Sequence, residues 1–160
     1  MKSTLVRIFT FPVMLALPVL LLTACSDSGP VSVPQAEQTG TASTSRWYSN
    51  EQLATGAEVF ARNCAACHGE NAQGTVGDWR QRLEDGSLPP PPLNGTAHAW
   101  HHPNPVLLQV INNGGAAFGG KMPAFAEVLD ESEKLAAIAY FQNFWSDEIY
   151  AQWTQMGGPN

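Results

Sequence analysis

The sequence predicts an all-α domain, on three observations. Three segments place apolar residues at spacings of three and four, each behind a capping signal. No convincing run shows the period-two alternation of a half-buried strand. Two connections, 64–103 and 114–129, are too long to stand unfilled inside one domain, so a large ligand is expected between them.

The elements follow in order. The first helix is predicted over Asn50 to Asn63. Ser49 is its N-cap, Gln52 completes a capping box, and Leu53, Gly56, Ala57 and Phe60 lie on one face. The second runs from Pro105 to Asn113, with Asn104 as cap, Pro105 at the first helical position and Gly114 after its end. Leu107, Leu108 and Ile111 form its apolar face. The longest is expected over Glu131 to Trp145, capped by Asp130 with Glu133 at the third position. Its face is Leu135, Ile138, Phe141 and Trp145, with Tyr140 and Phe144 beside it. A further short helix is predicted over Asp147 to Thr154, where Ile149 and Trp153 stand four apart.

The chain has 160 residues, 44% apolar and 14% charged, with a formal charge of −6. That balance excludes wholesale disorder, and the acidity argues against a nucleic-acid binder, which would show a basic stripe. Three cysteines are too few for a disulfide framework.

Residues 1–24 read as an export signal. Lys2 and Arg7 form a positive start, and an apolar run from Ile8 to Leu22 follows, broken by Pro12 and Pro18. The run is too short and interrupted for a comfortable membrane span. Leu22-Thr23-Ala24-Cys25 resembles the lipobox of bacterial lipoproteins, which implies cleavage before Cys25 and acylation of its thiol. Cleavage there removes Lys2 and Arg7 and no acid, taking the charge from −6 to −8. Residues 25–45 are rich in Ser, Thr, Pro, Gln and Gly and poor in large apolar side chains, so a lipid-anchored flexible linker is expected. The folded domain is expected over 46–160.

Cys64-Ala65-Ala66-Cys67-His68 carries the chemistry. C-x-x-C-H is the attachment signature of c-type haem. Two thiols three positions apart on a turn reach vinyl groups on adjacent pyrroles, and the imidazole of the next residue then lies under the iron. Three other readings of the residues stand beside this one: a thioredoxin-like redox pair, half a zinc site completed by His101 and His102, and a plain disulfide. The first lacks its strand-rich scaffold, and the second fits no common zinc spacing.

On these residues the segment from Ser49 to Trp145 resembles class I cytochrome c, in a monohaem bacterial lipoprotein form. The resemblance implies the cytochrome c fold: three core helices wrapped around one covalently bound haem, with long loops. It implies that Gly56 and Phe60 meet a C-terminal helix near Ile138-Ala139-Tyr140-Phe141. It implies Met122, in Lys121-Met122-Pro123, as the sixth iron ligand. Met156, in a Gly/Pro tail, is the rival. It further implies a P-x-L loop at Pro91 and Leu93, whose proline carbonyl accepts the N–H of His68.

Trp100 is a candidate to pack on the haem edge or bond a propionate. His98, His101 and His102 are candidates for copper, for replacing Met122, or for nothing beyond a polar surface loop. The stretch Gln73–Gly86 lies outside what the resemblance explains. Arg80, Arg82 and Lys121 fall in loops expected around the haem, which predicts a weakly basic or neutral rim on an acidic molecule.

The resulting reading is an electron-transfer protein and not an enzyme. It has one haem c on Cys64 and Cys67, with His68 and Met122 on the iron. It is exported, lipid-anchored to a bacterial membrane facing the periplasm, and monomeric. Its partners are membrane redox complexes, a reductase or dehydrogenase as donor and an oxidase or other acceptor. With both axial positions filled, no open site remains for substrate. The alternatives are a haem sensor or peroxidase-like enzyme with a displaceable sixth ligand, and a periplasmic metal-handling protein using the His98/His101/His102 cluster.

Overall fold

The structure, a computed structural model, describes residues 45–160. The expected signal peptide, Cys25 and all but the last residue of the linker lie outside the described residues. Five helices follow in order: α1 (Asn50–Asn63), α2 (Ala65–His68), α3 (Asn104–Asn113), α4 (Glu131–Gln142) and α5 (Asp147–Gln155). Single 3₁₀ turns occur at Ala99–His101 and Ala116–Phe118. The described residues contain no strand beyond one isolated parallel bridge, Leu88 with Gly120. The fold is all-α, as the periodicity predicts.

Local signals place α1 and α4. Ser49 accepts from the Gln52 amide and Gln52 reaches back to the Ser49 amide. Asp130 and Glu133 do the same for α4. The two helices cross at Gly56. A Cβ there would lie 2.0 Å from the Ala136 carbonyl oxygen and 3.1 Å from the Tyr140 Cβ, so only glycine lets the backbones approach this closely. Phe60 and Tyr140 meet beside the crossing with ring centroids 5.0 Å apart.

Three helix expectations are corrected. Asn104 is not a cap. It is the first residue of α3, with Pro103 as the N-cap and Pro105 second in the helix. Asn104 is buried because its Oδ1 accepts from Gln142 Nε2 (3.3 Å) and its amide donates to the Gly158 carbonyl (2.9 Å). The helix expected to be the longest, α4, ends at Gln142, short of Trp145, and its 12 residues are fewer than the 14 of α1, because Trp145 turns its indole N–H onto the Leu93 carbonyl (2.7 Å) and Ser146 caps α5. α4 is also covered on more than one face: Ala136, Ala137, Ile138, Ala139 and Phe141 are all buried, whereas Phe144 is exposed. A helix apolar nearly all round sits between neighbours and does not lie on a surface.

The core joins Phe60, Ile138 and Phe141 to Trp145, Tyr150 and Trp153 of the C-terminal segment. Residues ahead of α1 close onto that segment. Arg46 donates to the Trp145 carbonyl and Asp147 (both 3.0 Å) and lies over the Tyr150 ring. The Trp47 amide donates to the Tyr150 hydroxyl (2.8 Å), and the Trp47 indole to Gln142 Oε1 (2.6 Å). Gln142 is fully buried, and both ends of its amide are thereby satisfied.

Candidate haem site

Cys64 closes α1, and its carbonyl accepts the amides of Cys67 (3.1 Å) and His68 (2.9 Å), so the next residues wind into α2. This turn is a helix the sequence reading did not assign. It places Cys64, Cys67 and His68 on one short coil. Burial pushes the Cys64 thiol up to about 11, with Cys67 adding to the effect. A thiol so protonated lacks the depressed pKa of a thioredoxin-like nucleophile. Both cysteines are free.

His68 is buried, and its Nδ1 lies 2.9 Å from the Pro91 carbonyl oxygen. A carbonyl only accepts, so the proton sits on Nδ1 and the Nε2 lone pair is left for a metal. Burial shifts the imidazole toward its neutral form, and the Pro91 bond partly opposes that shift. Of the four prolines, Pro91 is the one that makes this contact.

A backbone frame holds Pro91 in place. After α2 the chain turns through Gly69 (φ +79°) and Ala72 (φ +55°), and the Gly74 amide returns to the His68 carbonyl (2.6 Å). Ala72 is the one non-glycine at positive φ among the described residues, and it is fully buried. Its carbonyl accepts the amides of Leu93 (2.7 Å) and Asn94 (3.1 Å). Trp145 holds the Leu93 carbonyl from the other side, and the Tyr140 hydroxyl donates to the Glu70 carbonyl (2.9 Å). Sequence reasoning missed Ala72 and Tyr140 in this role, since backbone acceptors leave no mark on residue type.

Met122 is half-buried, and its carbonyl accepts from the Gly115 amide (2.9 Å). A Cβ on Gly114 (φ +77°) would meet that carbonyl at 2.6 Å, and one on Gly115 would meet the Met122 Cβ at 3.1 Å. The two glycines let the methionine segment lie against the end of α3. Met156 sits exposed at the end of α5.

Leu93, Trp100, Leu108, Ile111 and Cys64 pack on the core yet remain only partly buried. An apolar wall left part-open beside two thiols and a neutral imidazole suits a flat apolar macrocycle carrying a metal. The donor set therefore fits a haem.

The histidine loop is organised by rings. His98 stacks on Trp79 (centroids 4.9 Å), His102 meets the edge of His98 (5.6 Å), and His101 packs on Trp100 (3.8 Å). Burial holds His98 and His102 below the usual histidine pKa, and neighbouring charges lower them further. No three His, Cys, Asp or Glu side chains converge on a metal-binding point among the described residues. Around the expected rim, Lys121 pairs with Asp85, Arg82 donates to the Gly86 carbonyl (2.7 Å), and Arg80 lies over Trp79 (4.5 Å). With Asp78 and Glu84 also present, this surface is near neutral and not basic.

No described helix is long and apolar enough to cross a membrane. No solved structure matches the chain. Among curated proteins it is 38% identical over 88 residues to the cbb3-type cytochrome c oxidase subunit CcoP of Azospirillum brasilense, covering 55% of this chain and 27% of that protein. It is 38% identical over 85 residues to the corresponding subunit FixP of Azorhizobium caulinodans, covering 53% and 25%. The chain thus spans about a quarter of the length of the curated relatives it matches. The family model described as cytochrome C oxidase, cbb3-type, subunit III matches residues 51–141, from the first turn of α1 through most of α4. A match over more than half the chain, laid on the helices that frame the C-x-x-C-H turn, means that this protein belongs to that c-type cytochrome family.

Proposed function

We propose that the domain is a one-electron carrier with a single haem c attached through Cys64 and Cys67, and with His68 and Met122 on the iron. The observation that carries the reading is the His68–Pro91 bond, which prepares Nε2 for a metal directly beside two free thiols. When bound, the haem supplies a reversible Fe(III)/Fe(II) change. The chain's residues do the rest. Pro91 orients the His68 ring and raises its basicity. The Met122 thioether, soft and neutral, favours Fe(II) and so raises the potential. Leu93, Leu108, Ile111 and Trp100, part-buried against the core, would shield the metal from water.

With both His68 and Met122 committed to the iron, no position would remain for a substrate, so the domain would pass electrons and not transform a molecule. The relatives are subunits of a cytochrome c oxidase, which favours an oxidase as acceptor and a membrane reductase or dehydrogenase as donor. A lipid on Cys25 and the linker 25–45 would hold a periplasmic, monomeric domain beside both.

The test is an optical and redox titration of the purified full chain, with acid-acetone extraction. A low-spin spectrum with a methionine–iron(III) charge-transfer band, and haem retained by wild type but extracted from the Cys64→Ala, Cys67→Ala variant, is the expected result. Extraction from wild type would refute covalent attachment. A high-spin spectrum with rapid CO binding would favour an open-site sensor or peroxidase-like enzyme.

A further inference from the structure

The segment between Gln73 and Ser87 is absent from every helix, yet its second half is built with care. The Leu83 amide donates to the Ser87 carbonyl and the Gly86 amide to the Leu83 carbonyl, both at 2.9 Å, with Gly86 at φ +82° closing the turn. Within this turn the Ser87 amide and hydroxyl both donate to Asp85 Oδ1 (2.9 and 2.6 Å). That leaves Oδ2 for the Lys121 ammonium, with which it pairs. One residue further on, the Leu88 amide donates to the Gly119 carbonyl (2.9 Å), and Leu88 lies in parallel register with Gly120.

Residues 119–121, immediately ahead of Met122, are therefore tied one after another to residues 85–88. On the opposite side the Gly115 amide holds the Met122 carbonyl, and the Gly120 amide donates to the Gly115 carbonyl (3.1 Å). The strap bonds thus end on the three residues directly ahead of Met122, and the Gly115 bond ends on Met122 itself.

We infer that residues 83–88 form a strap that positions the methionine loop, with the Asp85–Lys121 pair as its fastening, and that the strap keeps external ligands off the iron. The inference rests on Met122 being the sixth ligand. The Met122 thioether would have to leave the metal before another ligand could bind, and that would require residues 119–122 to move away from it. Each bond to the strap opposes that movement. Asp85 and Lys121 are positioning residues, acting through the loop and not on the iron. An exposed pair is worth only a few-fold in an equilibrium, so the effect of removing it is modest but measurable.

The experiment follows imidazole binding to the oxidised full-length holoprotein by stopped flow at low salt. Lys121→Glu sets two carboxylates against each other while leaving the Ser87 bonds to Asp85 in place, and should bind imidazole about two- to fivefold faster than wild type. Its resting spectrum should be unchanged. Lys121→Arg, which keeps a cation opposite Asp85, should bind imidazole at the wild-type rate, which a merely local structural defect at position 121 would not do. Met122→Ala, measured alongside, should bind imidazole far faster than either. If Met122→Ala is fast but Lys121→Glu matches wild type, or if Lys121→Arg is as fast as Lys121→Glu, the strap is refuted and the axial assignment stands. If Met122→Ala binds imidazole no faster than wild type, the axial assignment fails and the strap's role falls with it.

Discussion

At single positions, the chemistry of the candidate site is decided by which atom of each side chain is left free. The Pro91 carbonyl consumes Nδ1 of His68, so one lone pair remains and its direction is set. Met122 is the residue whose replacement reads out most directly. Met122→His should keep six-coordinate iron while lowering the reduction potential, because imidazole stabilises Fe(III) better than a thioether does. An unchanged potential and spectrum on titration would show that another side chain binds the metal. Gly56 tests packing instead. Gly56→Ala gains helix propensity of about 1 kcal/mol. It nevertheless places a methyl 2.0 Å from the Ala136 carbonyl, where backbone and not side chain must yield. We expect a net loss of about 1–3 kcal/mol in guanidinium unfolding of the holoprotein, an overpacking cost that outweighs the propensity gain.

Helix ends are where the elements can be perturbed cleanly. Ser49 caps α1 just ahead of the cysteine turn, and Ser49→Ala should cost about 1 kcal/mol in unfolding. Asp130 caps α4, and the Glu133 amide, with the Ser132 hydroxyl, holds its carboxyl below the usual aspartate value. A depressed folded pKa means stability that is present above the unfolded pKa and lost as pH falls through the folded one. Wild type should therefore exceed Asp130→Asn in stability near pH 6, and the gap should close in acid below about pH 4. A gap that is flat across denaturation curves from pH 6 to pH 3 would show that the carboxylate charge contributes nothing to the cap. The helix boundaries were legible where such caps are local, at Ser49 and Asp130. They were not legible at Asn104 and Trp145, because Gln142, Gly158 and Leu93, distant in the chain, compete for those side chains and amides.

For the whole molecule, the anchor proposed at Cys25 can be tested separately from the folded domain. If Cys25 carries the lipid, Cys25→Ala should release the protein from the membrane fraction with its spectrum and potential intact. Mass spectrometry of the wild-type N-terminus should then begin at Cys25 with added acyl mass. A wild-type chain starting elsewhere without lipid would remove the anchor. The folded unit has its own closure: Arg46, Trp47 and Gln142 bind the start of the domain to the C-terminal segment. Arg46→Ala should therefore lower the unfolding midpoint while leaving the potential unchanged, since none of these contacts reaches Cys64, His68 or Met122.

What the sequence by itself determined are the features encoded within a few residues. These are the helical spacing, the two capping boxes and the C-x-x-C-H motif. Each depends on neighbours three or four positions away, so residue type and order suffice. Tertiary structure makes the Pro91–His68 contact across 23 positions, which the family resemblance implied and no local pattern records. It decided that Ala72 adopts positive φ to receive Leu93 and Asn94, and that Asp85 pairs with Lys121. Those contacts join backbone carbonyls and exposed side chains far apart in the chain. Their partners are chosen by where the packed helices bring the loops, which no local pattern of residue types records.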